Sequence, residues 1–181
     1  MRIIRKSELV EGRWRNGMGV SWDIASEPPG SGSTEFGWRF AIARIDADVP
    51  FSNYPDTDRI FTLIEGKGLD LDFAGGRTLA VGQPFVPHVY ACDVDTFCRL
   101  RGGSCRALNL FLRRGQYRAD VDILTSNADL THPGQILVFA LKGAATVNGG
   151  ILQQGDAAIA AEHVMIEAGG ATVYAALLSP L

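Results

Sequence analysis

The sequence predicts an all-β protein that uses one strand pattern twice. Hydrophobic periodicity is two along nearly the whole chain, the period of a strand with two unlike faces. Glycine- and asparagine-rich turn signals recur at short intervals, the spacing of a sandwich or barrel. The stretch ILVFALKGAATVNGGILQQGDAAIA in the second half echoes IFTLIEGKGLDLDFAGGRTLAVGQPFV in the first. Each reads apolar strand, glycine turn, short strand, Gly-Gly turn, then two further strands, so the fold is expected to be duplicated.

Trp38–Ala43 alternates large with small or polar side chains, a strand with two different faces. Residues 60–64 are apolar almost throughout and read as a strand buried on both sides. Residues 69–73 alternate strictly, between turns at Gly66-Lys67-Gly68 and Ala74-Gly75-Gly76. Strands follow over 78–81, 85–86, 96–100 and 105–112, and no helix of ordinary length is predicted. In the second half, strands are expected over 135–141, 144–147, within 152–159 and over 171–178, with Asn148-Gly149-Gly150 as a hairpin turn. EPPGSGSTEFG (27–37) has the composition of a surface loop. ILTSNADLTHPG (123–134) has the turn chemistry of a join, which divides the chain into 1–122 and 123–181.

The 181 residues suffice to bury a core without disulfides or metals. A net charge of −3 with no basic run argues against a nucleic-acid partner. No apolar run is long enough to span a bilayer, and the first residues lack the apolar core of a signal peptide, so the expected location is cytoplasmic. Three cysteines, Cys92, Cys98 and Cys105, with no CxxC spacing, fit reduced and buried thiols. His88, His132 and His163 stand singly, His132 in the expected exposed join, and none has ligand spacing. Asp70, Asp72, Asp93 and Asp95 read as a solvated face.

Three segments carry a family resemblance. WRNGMGVSWDI (14–24), WRFAIARI (38–45) and PFSNYPDTDRIFTLIEGKGLDL (50–71) resemble the motifs of the HutD/Ves family of bicupins, with Ala41 where that family usually has serine. Weaker echoes follow at Gln83-Pro84-Phe85 and at Asn109 with Arg113-Arg114-Gly115. The resemblance implies an all-β bicupin, two packed cupin-type β-sandwich barrels of the RmlC-like jelly-roll kind. It also implies dimerisation through edge strands, as a homodimer.

Metal cupins carry two histidines, then a glutamate, then a glycine seven residues later. With Gly66 as that glycine, Arg59 falls at the glutamate position, and Ser52 and Tyr54 at or near the histidine positions. A guanidinium, a hydroxyl and a phenol offer donors, and arginine keeps its charge. The resemblance therefore implies a site for an anion, with no metal and no cofactor.

Each residue also has a plainer role. Arg59 either meets a carboxylate ligand with its planar fork or pairs with Asp58 or another acid at the rim. Arg39 either lines the barrel interior, where it needs an acid such as Asp23 or an anionic ligand, or is solvated. Asn16 fixes its loop or reaches the pocket; Tyr54 and Asn109 bind ligand or satisfy backbone; Phe51, Phe61 and Phe85 form walls, and Trp14 packs. Ser52 lacks the surroundings of a nucleophile. The alanine-rich second half is expected to be structural.

The expected function is metal-independent binding of a small carboxylate. The resemblance extends this to a formylglutamate-like ligand and a role in histidine utilisation, or to a Ves-like association with stress. The rival is a metal-independent isomerase or hydrolase of a small acid, which would need Tyr54 or Asp58 as its base. A third alternative is an interaction module with Arg59 internally paired.

Overall fold

The computed structural model describes residues 1–31 and 35–181; of the loop expected over 27–37, residues 32–34 lie outside the described residues. The first strands are β1 (Arg2–Ile4), β2 (Glu11–Arg13), β3 (Val20–Glu27), β4 (Trp38–Ile45), β5 (Val49–Pro50) and β6 (Thr57–Glu65). Next come β7 (Leu69–Phe73), β8 (Thr78–Val81), β9 (Pro87–Ala91), β10 (Thr96–Leu100), β11 (Cys105–Arg113) and β12 (Tyr117–Leu124). The last are β13 (Ala128–Lys142), β14 (Ala145–Val147), β15 (Gly150–Leu152), β16 (Ala157–Glu167) and β17 (Thr172–Pro180), and the described helix is a single 3-10 turn at Lys6–Glu8.

The chain divides into two compact units. Val10–Gln116 forms one, and Met1–Leu9 with Tyr117–Leu181 the other. In the first, a six-stranded sheet (β2-β3-β4-β11-β6-β9) faces a four-stranded one (β5-β10-β7-β8). Ile45, Phe61, Leu63 and Phe111 from the larger sheet share a core with Leu69, Leu71, Val81 and Cys98 from the smaller. The second unit is one seven-stranded sheet in the order β12-β17-β13-β16-β14-β15, with β1 added to β16. Leu152 at one end and Leu124 at the other meet the same apolar cluster, so this sheet curls over its own core.

The sequence repeat is a repeat of hydrogen bonding. β6 pairs with β9 and β11 and leads into the hairpin β7–β8. β13 pairs with β16 and β17 and leads into the hairpin β14–β15.

Three expectations are corrected. The crossing between units is earlier than 122/123, in the turn after β11, where Gly115 takes a left-handed φ of 77° and Gln116 N–H donates to Arg113 O. Residues 117–124 are strand β12, paired along their length with β17; Val121 and Ile123 alternate with the more exposed Asp120 and Asp122, so their polarity belongs to one face. Of the remainder of the expected join, 125–127 connect the strands and 128–134 begin β13, which carries Pro133 through a register shift between His132 and Gln135. There a Cβ on Gly134 would lie 2.1 Å from the Leu178 carbonyl oxygen. His132 is thus half-buried, its Nε2 2.8 Å from Ser179 Oγ. Finally, Phe85 is a turn residue with a φ of 64°, and the strand expected at 85–86 begins at Pro87.

The N-terminal segment is clamped to its unit by a buried carboxylate. Asp156 accepts hydrogen bonds from Lys6 N–H at 2.8 Å, Arg5 Nη1 at 2.8 Å and Gln153 N–H at 3.1 Å. Burial alone would raise its pKa; the donors outweigh burial and hold it below the ordinary carboxylate value. All three cysteines are buried and free, and burial pushes the Cys98 thiol up to about 12. Among the described residues no helix is long and apolar enough to cross a membrane.

Asp156→Asn should cost roughly 1–3 kcal/mol at pH 7, because two backbone donors and a guanidinium lose their anion. The folded pKa lies below the unfolded one, so this stabilisation is complete well above pH 3.8 and fades as the pH falls through the folded value. Denaturant titrations across the acid range should show wild type and variant converging below about pH 4.

Candidate functional site

Alternation on three neighbouring strands builds the site. Arg39, Ala41 and Ala43 of β4, Asn109 and Phe111 of β11, and Arg59 and Phe61 of β6 point to the same side of the larger sheet. Register aligns them in rows: Arg39, Phe111, Arg59 and Tyr90 lie side by side across four strands, and Ala41, Asn109 and Phe61 form the next row. Ala41 and Ala43 have no side chain beyond Cβ and so leave space. The result is a cavity of about 30 Å³, also lined by Trp14, Ser21, Ile45, Phe51, Ser52 and Tyr54. Every lining residue belongs to the Val10–Gln116 unit.

Arg59 is 6% exposed and has no carboxylate partner among the described residues. Asp58, one alternative partner, is paired with Arg114 at 2.9 Å. Arg59 Nη1 donates to Tyr90 Oη at 2.9 Å, and Nε has no partner. Its guanidinium stacks 4.5 Å from the Phe111 ring centre, 5.1 Å from Phe51 and 5.5 Å from Tyr90. Burial pushes the Tyr90 phenol and the adjacent Cys92 thiol above their ordinary pKa values, so both are neutral at pH 7. Burial also opposes the Arg59 charge, but arginine cannot shed its proton. A full positive charge is thereby held indoors without a counter-ion.

Arg39 is different. Its Nε donates to Asp23 Oδ1 at 2.8 Å and its Nη2 reaches Ser21 Oγ at 3.3 Å, and its guanidinium lies 5.4 Å from the Phe111 ring centre. Asp23 is half exposed, so Arg39 is paired at the cavity's edge.

Six of the seven residues singled out from the sequence therefore meet around one cavity: Arg59, Arg39, Ser52, Tyr54, Asn109 and Phe51. Asn16 does not line it. Its Nδ2 donates to Pro50 O at 2.8 Å and its Oδ1 accepts from Met18 N–H, which ties the 14–19 loop to the 50–54 loop at the mouth. Tyr90, Phe111 and Ser21 were missed. Tyr90 enters through the pairing of β9 with β6, and Phe111 through that of β11, long-range register that no local pattern states.

Counting back seven residues from the turn glycine gives Arg59 before Gly66 and Ile136 before Gly143. Ile136 pairs with Ala160 and Leu177, where Arg59 pairs with Tyr90 and Phe111. The equivalent row of the second unit is wholly apolar.

The comparisons with known proteins follow the same line. A family model described as HutD matches residues 6–176. The chain belongs to the HutD family. It is 28% identical over 141 residues to an uncharacterised 21.2 kDa protein in the hutC 3′ region of Pseudomonas putida, covering 77% of this chain and 73% of that one. It is 31% identical to protein Ves of Cronobacter sakazakii over 142 residues, 77% of this chain and 75% of its relative. Among solved structures, HutD from Pseudomonas fluorescens SBW25 superposes with a TM-score of 0.88 at 25% identity, covering 99% and 98% of the two chains. A cupin 2 conserved barrel protein from Leptotrichia buccalis gives 0.60 at 13% identity over 99% and 96%, a likeness of fold alone.

In this HutD-family chain the donor set does not suit a cation. Two guanidiniums flank the cavity, and among the described residues no group of three or more His, Cys, Asp or Glu is placed to hold a metal ion.

The mouth depends on one glycine. A Cβ on Gly19 would lie 2.4 Å from the Trp14 ring, whose Nε1 donates to Val20 O at 2.8 Å and whose edge meets Phe51 at 5.6 Å. Gly19→Ala should displace Trp14, cost about 1–3 kcal/mol and red-shift tryptophan emission, read by fluorescence and thermal melting.

Proposed function

We propose that this protein binds a small carboxylate through Arg59, without a metal, as a binding protein of histidine utilisation. The carrying observation is the buried Arg59 charge with an unpartnered Nε beside a cavity. An isolated charge in a low-dielectric interior is costly, and an anion that completes it recovers that cost. A carboxylate matches the fork of a guanidinium with paired, charge-assisted hydrogen bonds. The cavity volume suits a head group of a few atoms.

Support for the pathway comes from names. The family model is called HutD, and a relative lies in a hutC region. The Pseudomonas fluorescens HutD structure was determined in a formate condition. A formylglutamate-like acid is therefore the ligand to try first, ahead of glutamate, urocanate and formate.

The test is a thermal-shift titration of wild type and Arg59→Met, with and without EDTA. One carboxylate at a hundredfold excess over its Kd should raise the wild-type melting temperature by roughly 5–10 °C, and EDTA should not matter. Arg59→Met should lose that shift while melting, ligand-free, at or above the wild-type temperature, because it removes an unpaired buried charge and keeps apolar contact. A ligand-free variant that melts much lower, in a protein that no carboxylate stabilises, would make Arg59 a structural residue instead.

A further inference from the structure

Three polar atoms around the cavity have no partner: Arg59 Nε, Ser52 Oγ and Asn109 Oδ1. Their chemistries differ. A guanidinium only donates, a hydroxyl donates or accepts, and an amide oxygen only accepts. Which end of the Asn109 amide is oxygen follows from its other end: Nδ2 donates to the Ala107 carbonyl at 3.2 Å, and only an NH₂ can do so. The cross-strand neighbours of Asn109 are Ala41 and Phe61, so neither can donate to Oδ1. The residue is 2% exposed.

A plain carboxylate satisfies Arg59 and Ser52 but brings only acceptors to Asn109. A buried acceptor without a donor is penalised more heavily than a made hydrogen bond is rewarded. Asn109 sits one row along the sheet from Arg59 on the adjacent strand, a diagonal neighbour with backbones roughly 7–8 Å apart. A ligand gripped by Arg59 thus spans to Asn109 within a few bonds of its carboxyl group.

Resting on the carboxylate-binding function proposed above, we infer that the pocket takes an acid carrying its own hydrogen-bond donor close to the carboxylate, and that Asn109 selects for that donor. The ligand class is a hydroxy acid, an amino acid or an N-acyl amino acid, in preference to a simple fatty or keto acid. Asn109 is the specificity-determining residue of the site; Arg59 supplies affinity for any small carboxylate.

Glycolate and propionate test this directly, because they share size and charge and differ in a hydroxyl against a methyl. Each is titrated calorimetrically into wild type and into Asn109→Leu, whose side chain has a similar volume but no acceptor. Wild type should bind glycolate roughly three- to tenfold more tightly than propionate. In Asn109→Leu the ratio should fall to about one, with propionate bound at least as well as before. Equal affinities in wild type overturn the inference while leaving carboxylate binding intact, the result expected if a buried water already donates to Oδ1. A preference that survives in Asn109→Leu also overturns it, by assigning the selection to another group. If neither acid binds wild type, and no carboxylate shifts its melting temperature, the carboxylate-binding function and this inference fall together. Should Asn109→Leu fail to fold, the wild-type ratio alone still decides against the inference when it is one.

Discussion

A guanidinium that cannot lose its proton is enclosed in a β-sandwich with no acid to meet it among the described residues, and the rest of the site is arranged around that fact. Three ring faces, of Phe111, Phe51 and Tyr90, surround Arg59. Each contributes cation–π attraction of about 0.5–2 kcal/mol, and Tyr90 adds one hydrogen bond. These soften the desolvation of the charge without replacing an anion. The second arginine explains why Asp23 matters. Arg39 and Arg59 both lie over the Phe111 ring, and two unpaired charges there would repel across a low-dielectric gap. Asp23 neutralises Arg39 from the exposed edge and leaves the cavity with one net positive charge, the number that a monoanionic head group matches.

The two units show what the frame itself requires. β6 and β13 occupy equivalent places in their pairing schemes, each flanked by two strands and followed by a glycine turn and a hairpin. The inner row across them reads Phe111, Arg59, Tyr90 in one unit and Leu177, Ile136, Ala160 in the other. The apolar row packs in the ordinary way, with Ile136 fully buried. Since the frame closes without an arginine, Arg59 is not a requirement of the fold. A buried charge that the architecture does without is what the binding role proposed above would require.

Much of this could be read in the sequence because strands declare their faces locally. Alternation located β4 and β7 and set Arg39 on the face opposite Trp38 and Phe40, an apolar run located β6, and the distance to Gly66 marked Arg59 as the residue of interest. What could not be read depends on register between distant strands. Tyr90 becomes the partner of Arg59 only because β9 adds to the edge of β6, thirty-one residues away along the chain. The join expected over 123–134 rests on its Asn, Asp, Pro and Gly, yet Ile123 and Leu124 end β12 and 128–134 begin β13, so turn-forming residues there sit largely within paired strands. Of the two roles open to Asn16, fixing its loop or reaching the pocket, its amide takes the first and ties two loops, a role fixed by the position of Pro50 O.

Volume then decides how much of a ligand the cavity reads. About 30 Å³ is far below the ~300 Å³ and above of sites that engulf a whole drug-sized molecule. Outside the mouth lies an open groove of about 410 Å³ lined by Arg15, Asn16, Asn53 and Pro55, and it shares Ser52 with the cavity. The two loops between them are held by the Asn16 amide on Pro50 O and by Arg15 Nη1 on Asn53 O at 3.3 Å. Under the proposed function, an acid with any substantial tail would seat its carboxylate at Arg59 and leave the tail on the Ser52 side. Hydrogen bonds made in the enclosed part are shielded from water and weigh more than contacts in the groove. Under the proposed function, discrimination would fall on the first few atoms of the ligand, where the unpartnered acceptor at Asn109 and the unpartnered groups of Arg59 and Ser52 line one small cavity.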